Sequence, residues 1–270
     1  MFTAKNIFCI SLLIIATALP VSANTINILI VESNNVIDHG AKADGINDDT
    51  EAFQKALDAT SAKGGIVIVP SGTYLIAGSL NIPEGVTLQG VWQAPHNTAL
   101  GKGSVIFATG SADNENGLPL INLASNSCVK GITVFYPEQN INEVKTYPWT
   151  IQGRGTNCSV IDVTLANPYK GIDFGTYSNE LHFIRNVYGC PLKVGVFVDN
   201  CTDIGRIENV HFNPNAWTRC GHSNSPKDGS PEWDKLIKYL TENLEGFVFA
   251  RTDWQYVSNC FVIFPKIGFH

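Results

Sequence analysis

Two short apolar units recur through the second half of this chain, and they constrain the fold more than any other feature. The first is an apolar residue, two variable ones, a second apolar residue, and a third two further on. Val129, Ile132 and Val134 fit it, as do Val160, Val163 and Leu165, then Ile207, Val210 and Phe212. Ile184 and Val187 follow with Gly189 in the last slot, and Val257, Cys260 and Val262 close the series. A proline follows each copy, at 137, 168, 191, 214 and 265. The second unit begins with glycine and a large apolar residue, at Gly171-Ile172, Gly195-Val196, Gly246-Phe247 and Gly268-Phe269. Gly171 and Gly195 lie 24 residues apart, and Gly246 and Gly268 lie 22 apart. Periods of this length signal solenoids. Short strands with turns inside each repeat mean one coil of a parallel β-helix per repeat. A single coil cannot bury its inner side chains alone, so neighbours must stack.

A polar residue occupies the slot two after the first apolar position: Asp162, Asn186, Asn209 and Asn259. Asparagine tolerates left-handed backbone and bonds its own main chain. A stacked ladder at a sharp corner is the reading, and Asp162 is thereby assigned to structure. The step from Gly195 to Gly246 is 51 residues, about one coil too long. The excess, residues 213–245, reads as an insertion: a polar loop over 218–229, then one amphipathic helix. Ser230 caps that helix with Pro231 at its first position. Trp233, Leu236, Ile237, Leu240 and Leu244 mark its apolar face.

The stretch from Val36 to Gly90 opens the coil. Asp44-Gly45 is a turn pair. Asp48, three residues before Glu51, makes an aspartate version of a capping box, and Asp48 or Asp49 can accept from the free N–H groups of the helix that follows. Ala52, Phe53, Ala56 and Leu57 recur at helical spacing. Lys63-Gly64-Gly65 ends the helix. Short strands follow at Ile66–Val69, Tyr74–Ile76 and Val86–Leu88.

These residues resemble the N-terminal signature of the pectate lyase superfamily, the rhamnogalacturonase/epimerase-like group, in which G-A-x-x-D-G-x-x-D-D-T-x-A-x-Q-x-A-L precedes G-G-x-V-x-V-P-x-G-T-Y. Gly40, Ala41, Asp44, Gly45, Asp48, Asp49, Thr50, Ala52, Gln54, Ala56 and Leu57 match the first element. Gly64, Gly65, Val67, Val69, Pro70, Gly72, Thr73 and Tyr74 match the second. The resemblance implies an all-β right-handed parallel β-helix with an N-terminal capping helix, related to glycoside hydrolase family 28. It does not choose among lyases, hydrolases, epimerases and phage tail spikes. The polygalacturonase branch carries N-T-D, D-D, G-H-G and R-I-K motifs. This chain lacks the first and third, has Arg206-Ile207-Glu208 in place of the fourth, and uses Asp48-Asp49 at the helix start.

The first 23 residues read as a secretory signal peptide: Lys5, an apolar run from Ile7 to Ala18, and Val21-Ser22-Ala23 before cleavage. The apolar run is too short to span a membrane. The expected organisation is a leader strand or linker over 24–35 and a β-helix domain over 36–270, within which 36–90 is the capping signature. Gly268-Phe269-His270 looks like the start of another coil, so the domain is expected to be truncated at its C-terminal end. Export points to a secreted or periplasmic protein and permits disulfides. Cys9 leaves with the leader. Cys128, Cys158, Cys190, Cys201, Cys220 and Cys260 then read as small core residues rather than bridges. Asn157-Cys158-Ser159 and Asn200-Cys201-Thr202 are glycosylation sequons for a eukaryotic host. Net charge is −6 without a basic patch, which argues against nucleic acid as a partner. Cys220 and His222 are too few to make a metal site.

The resemblance places substrate along the sheet whose strands begin with the glycine-apolar unit. Ile172 and Phe174 point inward there and Asp173 outward. Aligning the glycines brings Asp173, Asp199, Arg251 and Asp253 toward one end of the sheet as candidate catalytic residues. Two carboxylates serve glycoside hydrolysis. A carboxylate cluster holding Ca²⁺, with Arg251 on a sugar carboxylate, serves β-elimination. Tyr177, Trp217 and Trp254 are candidate sugar-stacking surfaces. The expected function is an exported enzyme cleaving an acidic, pectin-like polysaccharide. A non-catalytic glycan-binding or adhesion module, or a tail-spike-like protein, is the alternative. Oligomeric state is open.

Overall fold

A computed structural model describes residues 33–93 and 100–270. The expected signal peptide lies outside the described residues. Short parallel strands wind into a β-helix, as the repeats predict. Among the described residues, thirteen strands join in one sheet and seven in another. The thirteen-stranded sheet has two faces that meet at a bend. Ser159–Leu165, Phe183–Gly189 and Gly205–Phe212 each run through the bend and so belong to both faces. The seven-stranded sheet comprises Leu80–Ile82, Ile121–Leu123, Trp149–Gly153, Lys170–Phe174, Val194–Val198, Glu245–Phe249 and Ile267–Phe269.

The bend lies at the predicted polar ladder. Asp162, Asn186, Asn209 and Asn259 have φ of 53°, 54°, 53° and 52°. Asn186 donates to Asp162 over 2.8 Å, and Asn209 donates to Asn186 over 2.9 Å. Gly131 holds the same slot one coil earlier with φ of 71°. Left-handed backbone costs an ordinary residue about 1–2 kcal/mol, so the corner selects Asn, Asp or Gly.

Inside, the apolar positions stack in register. Ile121, Ile151, Ile172, Val196 and Phe247 pair in sequence down the seven-stranded sheet, and all five are fully buried. Each such side chain contributes about 1.5–3 kcal/mol relative to exposure.

Helix α1, Thr50–Ser61, closes the first end by burying Phe53, Ala56 and Leu57. Phe53 meets the ring of Tyr74 edge-on, 5.1 Å between centroids. The capping box does not form. Asp48 accepts from the Thr50 N–H at 3.0 Å, while Asp49 turns back to accept from Lys42 and Ala43 N–H groups. Glu51 instead pairs with Lys55 at 2.6 Å on the exposed side. The Gln54 amide reaches the edge strand Leu80–Ile82, where its Oε1 accepts from the Asn81 N–H and its Nε2 donates to the Asn81 carbonyl.

Residues 213–244 run between two strands of the coil and hold two helices. Helix α2, Asn215–Thr218, is a single turn the periodicity did not mark. Helix α3, Pro231–Asn243, begins where the Ser230 side chain accepts from the Trp233 N–H. It buries Leu236 and Leu240 against the coil. The six cysteines from Cys128 onward are free thiols, and Cys158, Cys190, Cys201 and Cys220 are buried. No helix among the described residues is long and apolar enough to cross a membrane.

Candidate active-site face

The outer face of the seven-stranded sheet carries a row of neighbours, one per coil. Asn81, Asn122, Gln152, Asp173, Phe197 and Val248 pair in register across it. Loops from several coils rise along one margin of this sheet. They span 109–120, 136–148 and the insertion at 213–244, whereas the coils between them turn tightly at 166–169 and 190–193.

Asp173 holds the middle of the face and is fully buried. One oxygen accepts from the Gly175 and Thr176 N–H groups at 2.7 and 2.9 Å. The other accepts from Gln152 Nε2 at 2.6 Å. A side chain added at Gly175 would strike the Phe197 ring, so Phe197 lies over the turn that Asp173 holds. The expectation of an open catalytic carboxylate at Asp173 is corrected: both oxygens are engaged inside the protein, and its work is to fix the turn.

The other three candidates do converge. Asp199 Oδ1 accepts from the Arg251 N–H at 3.1 Å and from the Asn200 N–H at 2.7 Å. Arg251 Nη2 meets Asp253 Oδ2 at 3.1 Å. Asp199 is half-buried, and the Arg251 and Asp253 side chains are roughly half exposed. Tyr177 and Trp254 stand on the same margin at 42% and 73% exposure. The Arg154 guanidinium lies 5.4 Å from the centre of the Tyr177 ring. Trp217 is corrected: it has no exposed surface, and α2 turns its ring into the core, so it offers no ring to a sugar. The His222 ring packs 4.7 Å from that of Phe135, and among the described residues no three His, Cys, Asp or Glu side chains gather to hold a metal.

Sequence reasoning missed the opposite margin. The Glu115 carboxylate, from loop 109–120, lies between Lys170 and Lys193 of successive coils. Its Oε1 is 3.4 Å from Lys170 Nζ and 2.6 Å from Lys193 Nζ. Lys170 Nζ also donates to the Glu115 carbonyl at 3.1 Å. Aromatic rings frame the cluster. Lys170 Nζ lies 5.1 Å from the Trp149 ring, and Lys193 Nζ lies 5.5 Å from the Tyr169 ring. Trp149 is stacked on Phe197, 6.1 Å apart and 10° from parallel. Burial pushes the Glu115 carboxyl up, but the bond from Lys193 and the charge of Lys170 outweigh it and hold it low. Burial lowers Lys170, while the bond to Glu115 raises Lys193. No local motif announced this group, because the three charges sit 55 and 23 residues apart and only the winding brings them together.

The sequence pattern of the rhamnogalacturonase A/epimerase, pectate lyase-like family matches residues 33–213. That span is more than half of the chain and includes both margins up to Asp199. A non-secreted LysM effector of Penicillium expansum is 40% identical over 186 residues, 66% of this chain and 13% of that protein. The A-module of mannuronan C-5 epimerase AlgE6 from Azotobacter vinelandii superposes with a TM-score of 0.50 at 20% identity, over 66% of this chain and 49% of that one. The ORF18 protein of Geobacillus virus E2 superposes with a TM-score of 0.50 at 15% identity, over 84% and 48%. The chain thus spans a small part of the effector and about half of each superposed chain. These structural likenesses establish the parallel β-helix.

Proposed function

Because this chain belongs to the rhamnogalacturonase A/epimerase, pectate lyase-like family, we propose that it is an exported carbohydrate-active enzyme that cleaves an acidic, pectin-like polysaccharide laid along the outer face of the seven-stranded sheet. The observation that carries this reading is the meeting of Asp199, Arg251 and Asp253 on neighbouring coils of one face. Asp199 and Asp253, on successive coils, would be the two carboxylates that glycoside hydrolysis needs, one as acid and one as base or nucleophile. Arg251, whose guanidinium lies beside Asp253, offers a planar, half-exposed cation for a sugar carboxylate. Tyr177 and Trp254 offer ring faces to the sugars. Asp173 supports the site by holding the turn before Tyr177. The same groups suit β-elimination, with Arg251 neutralising the uronate while one carboxylate takes the proton α to it, the glycosidic C–O bond β to it breaks, and the departing oxygen takes up a proton from water. The Arg251 guanidinium already occupies Asp253, Asp199 is bonded to backbone N–H groups, and no third His, Cys, Asp or Glu among the described residues gathers with them, so these residues do not fit a Ca²⁺ ion, and no step is routed through one.

Incubation with pectic and other acidic polymers decides the reaction. Ultraviolet absorbance of unsaturated ends marks elimination, and new reducing ends without it mark hydrolysis. Asp199→Asn and Asp253→Asn should each lower turnover by about a hundredfold or more, the scale of general acid–base catalysis, with unfolding curves unchanged. Full activity in both variants would overturn the assignment. Binding without either product would leave a glycan-binding module.

A further inference from the structure

The Glu115 cluster lies on the same face as the three convergent residues but on its other margin, and the proposed cleavage does not use it. Its charges are arranged unusually for a structural ion pair. One carboxylate faces two ammonium groups from adjacent coils. Neighbouring coils stand about 4.8 Å apart, so the two lysines form a fixed pair whatever lies between them. The lysines belong to the strand Lys170–Phe174 and to the turn before Val194–Val198, which the ladder of backbone bonds makes rigid. Glu115 comes from a loop instead, with left-handed backbone at Ser111 and Asp113. Only the lysines are part of the coil.

The cluster is partly open and bordered by aromatic rings, unlike a salt bridge enclosed on all sides. The Trp149 ring faces Lys170 and the Tyr169 ring faces Lys193, with Phe197 stacked on Trp149. Lys193 and Glu115 keep 40% and 31% of their side-chain surface open, and Lys170 keeps 10%. Rotation of the Glu115 side chain would free Lys193, and freeing Lys170, which also donates to the Glu115 carbonyl, takes a shift of the loop but none of the coil.

We propose that Lys170 and Lys193 form a subsite for the carboxylate of a uronic acid residue, framed by the Trp149 and Tyr169 rings, and that the Glu115 carboxylate is its built-in stand-in, which substrate must displace. The proposal rests on the reading of this face as an acidic-polysaccharide site and names the group of the substrate that is recognised. It also states a cost. Each binding event exchanges one carboxylate for another, so charge is conserved at the lysines and affinity is set below what the pair alone would give. In return, a neutral sugar gains nothing by entering, because it would leave the lysines without a counter-charge.

The test is calorimetric titration of the whole protein with oligogalacturonides and alginate oligosaccharides, and with the same oligogalacturonides methyl-esterified. Glu115→Gln should bind the acidic oligosaccharides about tenfold more tightly than the parent. Lys170→Met and Lys193→Met should each bind them about tenfold more weakly. Methyl esterification should erase all three differences. Thermal unfolding of each variant guards against a folding defect, and Glu115→Ala repeats the gain with a shorter side chain. An unchanged or weakened affinity in both Glu115 variants would overturn the stand-in. Equal binding of esterified and free oligosaccharides by the parent would overturn the subsite. Those results differ from failure of the underlying reading, which would be a parent protein that neither binds nor cleaves any acidic polymer.

Discussion

His182 shows how much one side chain can decide in a column of coils. It is fully buried, stacked 5.0 Å from Phe174 and 12° from parallel. Its Nδ1 meets Asn179 Oδ1 at 2.8 Å, and the Asn179 amide donates in turn to the Phe174 and Asp199 carbonyls. The ring therefore braces the turn that leads to Asp199. A side chain at Gly205 would collide with this ring, which explains glycine there. Burial pushes His182 down to about 4, little offset by the Gln255 side chain. An unfolded chain takes up this proton at the ordinary value of 6.5, so the folded state binds fewer protons between the two. Stability from this group is complete above pH 6.5 and falls as pH drops toward 4, by on the order of 3 kcal/mol in all. Urea midpoints at pH 7 and pH 4.5 should differ more in the parent than in His182→Gln. Equal differences would place the acid sensitivity elsewhere.

At the scale of elements, the corner ladder makes the sharpest claim. Asn186 gives a hydrogen bond to Asp162 and takes one from Asn209 while holding φ of 54°. Asn186→Ala loses both bonds and keeps the strained backbone, a cost of about 2–3 kcal/mol. Asn186→Gly relieves the backbone and should cost less. Thermal unfolding of the pair separates the two contributions, and the opposite order would refute the account. This ladder was legible in the sequence because each coil repeats it at the same slot. So were α1, α3 and the inward stack, since each announces itself by spacing within a single segment. The Asp44–Asp48 strand was read only as a turn, because Asp44 and Gly45 do make one: the Asp44 side chain accepts from the Ile46 and Asn47 N–H groups. Alternation along a strand correctly turned Asp173 away from the core. It gave no sign that Phe197, one coil on, would cover it. The rows at the strand ends did place Asp199, Arg251 and Asp253 together. Trp217 was misread for want of any local signal that a one-turn helix would fold it inward. Glu115, Lys170 and Lys193 escaped notice because loop 109–120 has no periodicity to fix where it lands.

For the whole molecule, the coil removes the need for covalent bracing. The six cysteines of residues 33–270 are free, and burial raises the Cys128, Cys158 and Cys190 thiols, Cys128 to about 12 and Cys158 to about 11. Such thiols are poor nucleophiles. A thiol reagent should label the native protein slowly and should find all six in the denatured, unreduced protein. Fewer than six would mean that bridges form. The second unit of the repeat has a further consequence. A side chain at Gly171 would strike the Gly195 carbonyl, and one at Gly195 the Gly246 carbonyl. Glycine at these positions lets each strand start approach the next this closely. The face that carries Asp199 and the lysines is thus a ruler graduated in coils. Its length can change only by a whole graduation, which would move the two margins together and leave the spacing of marks along a polymer intact.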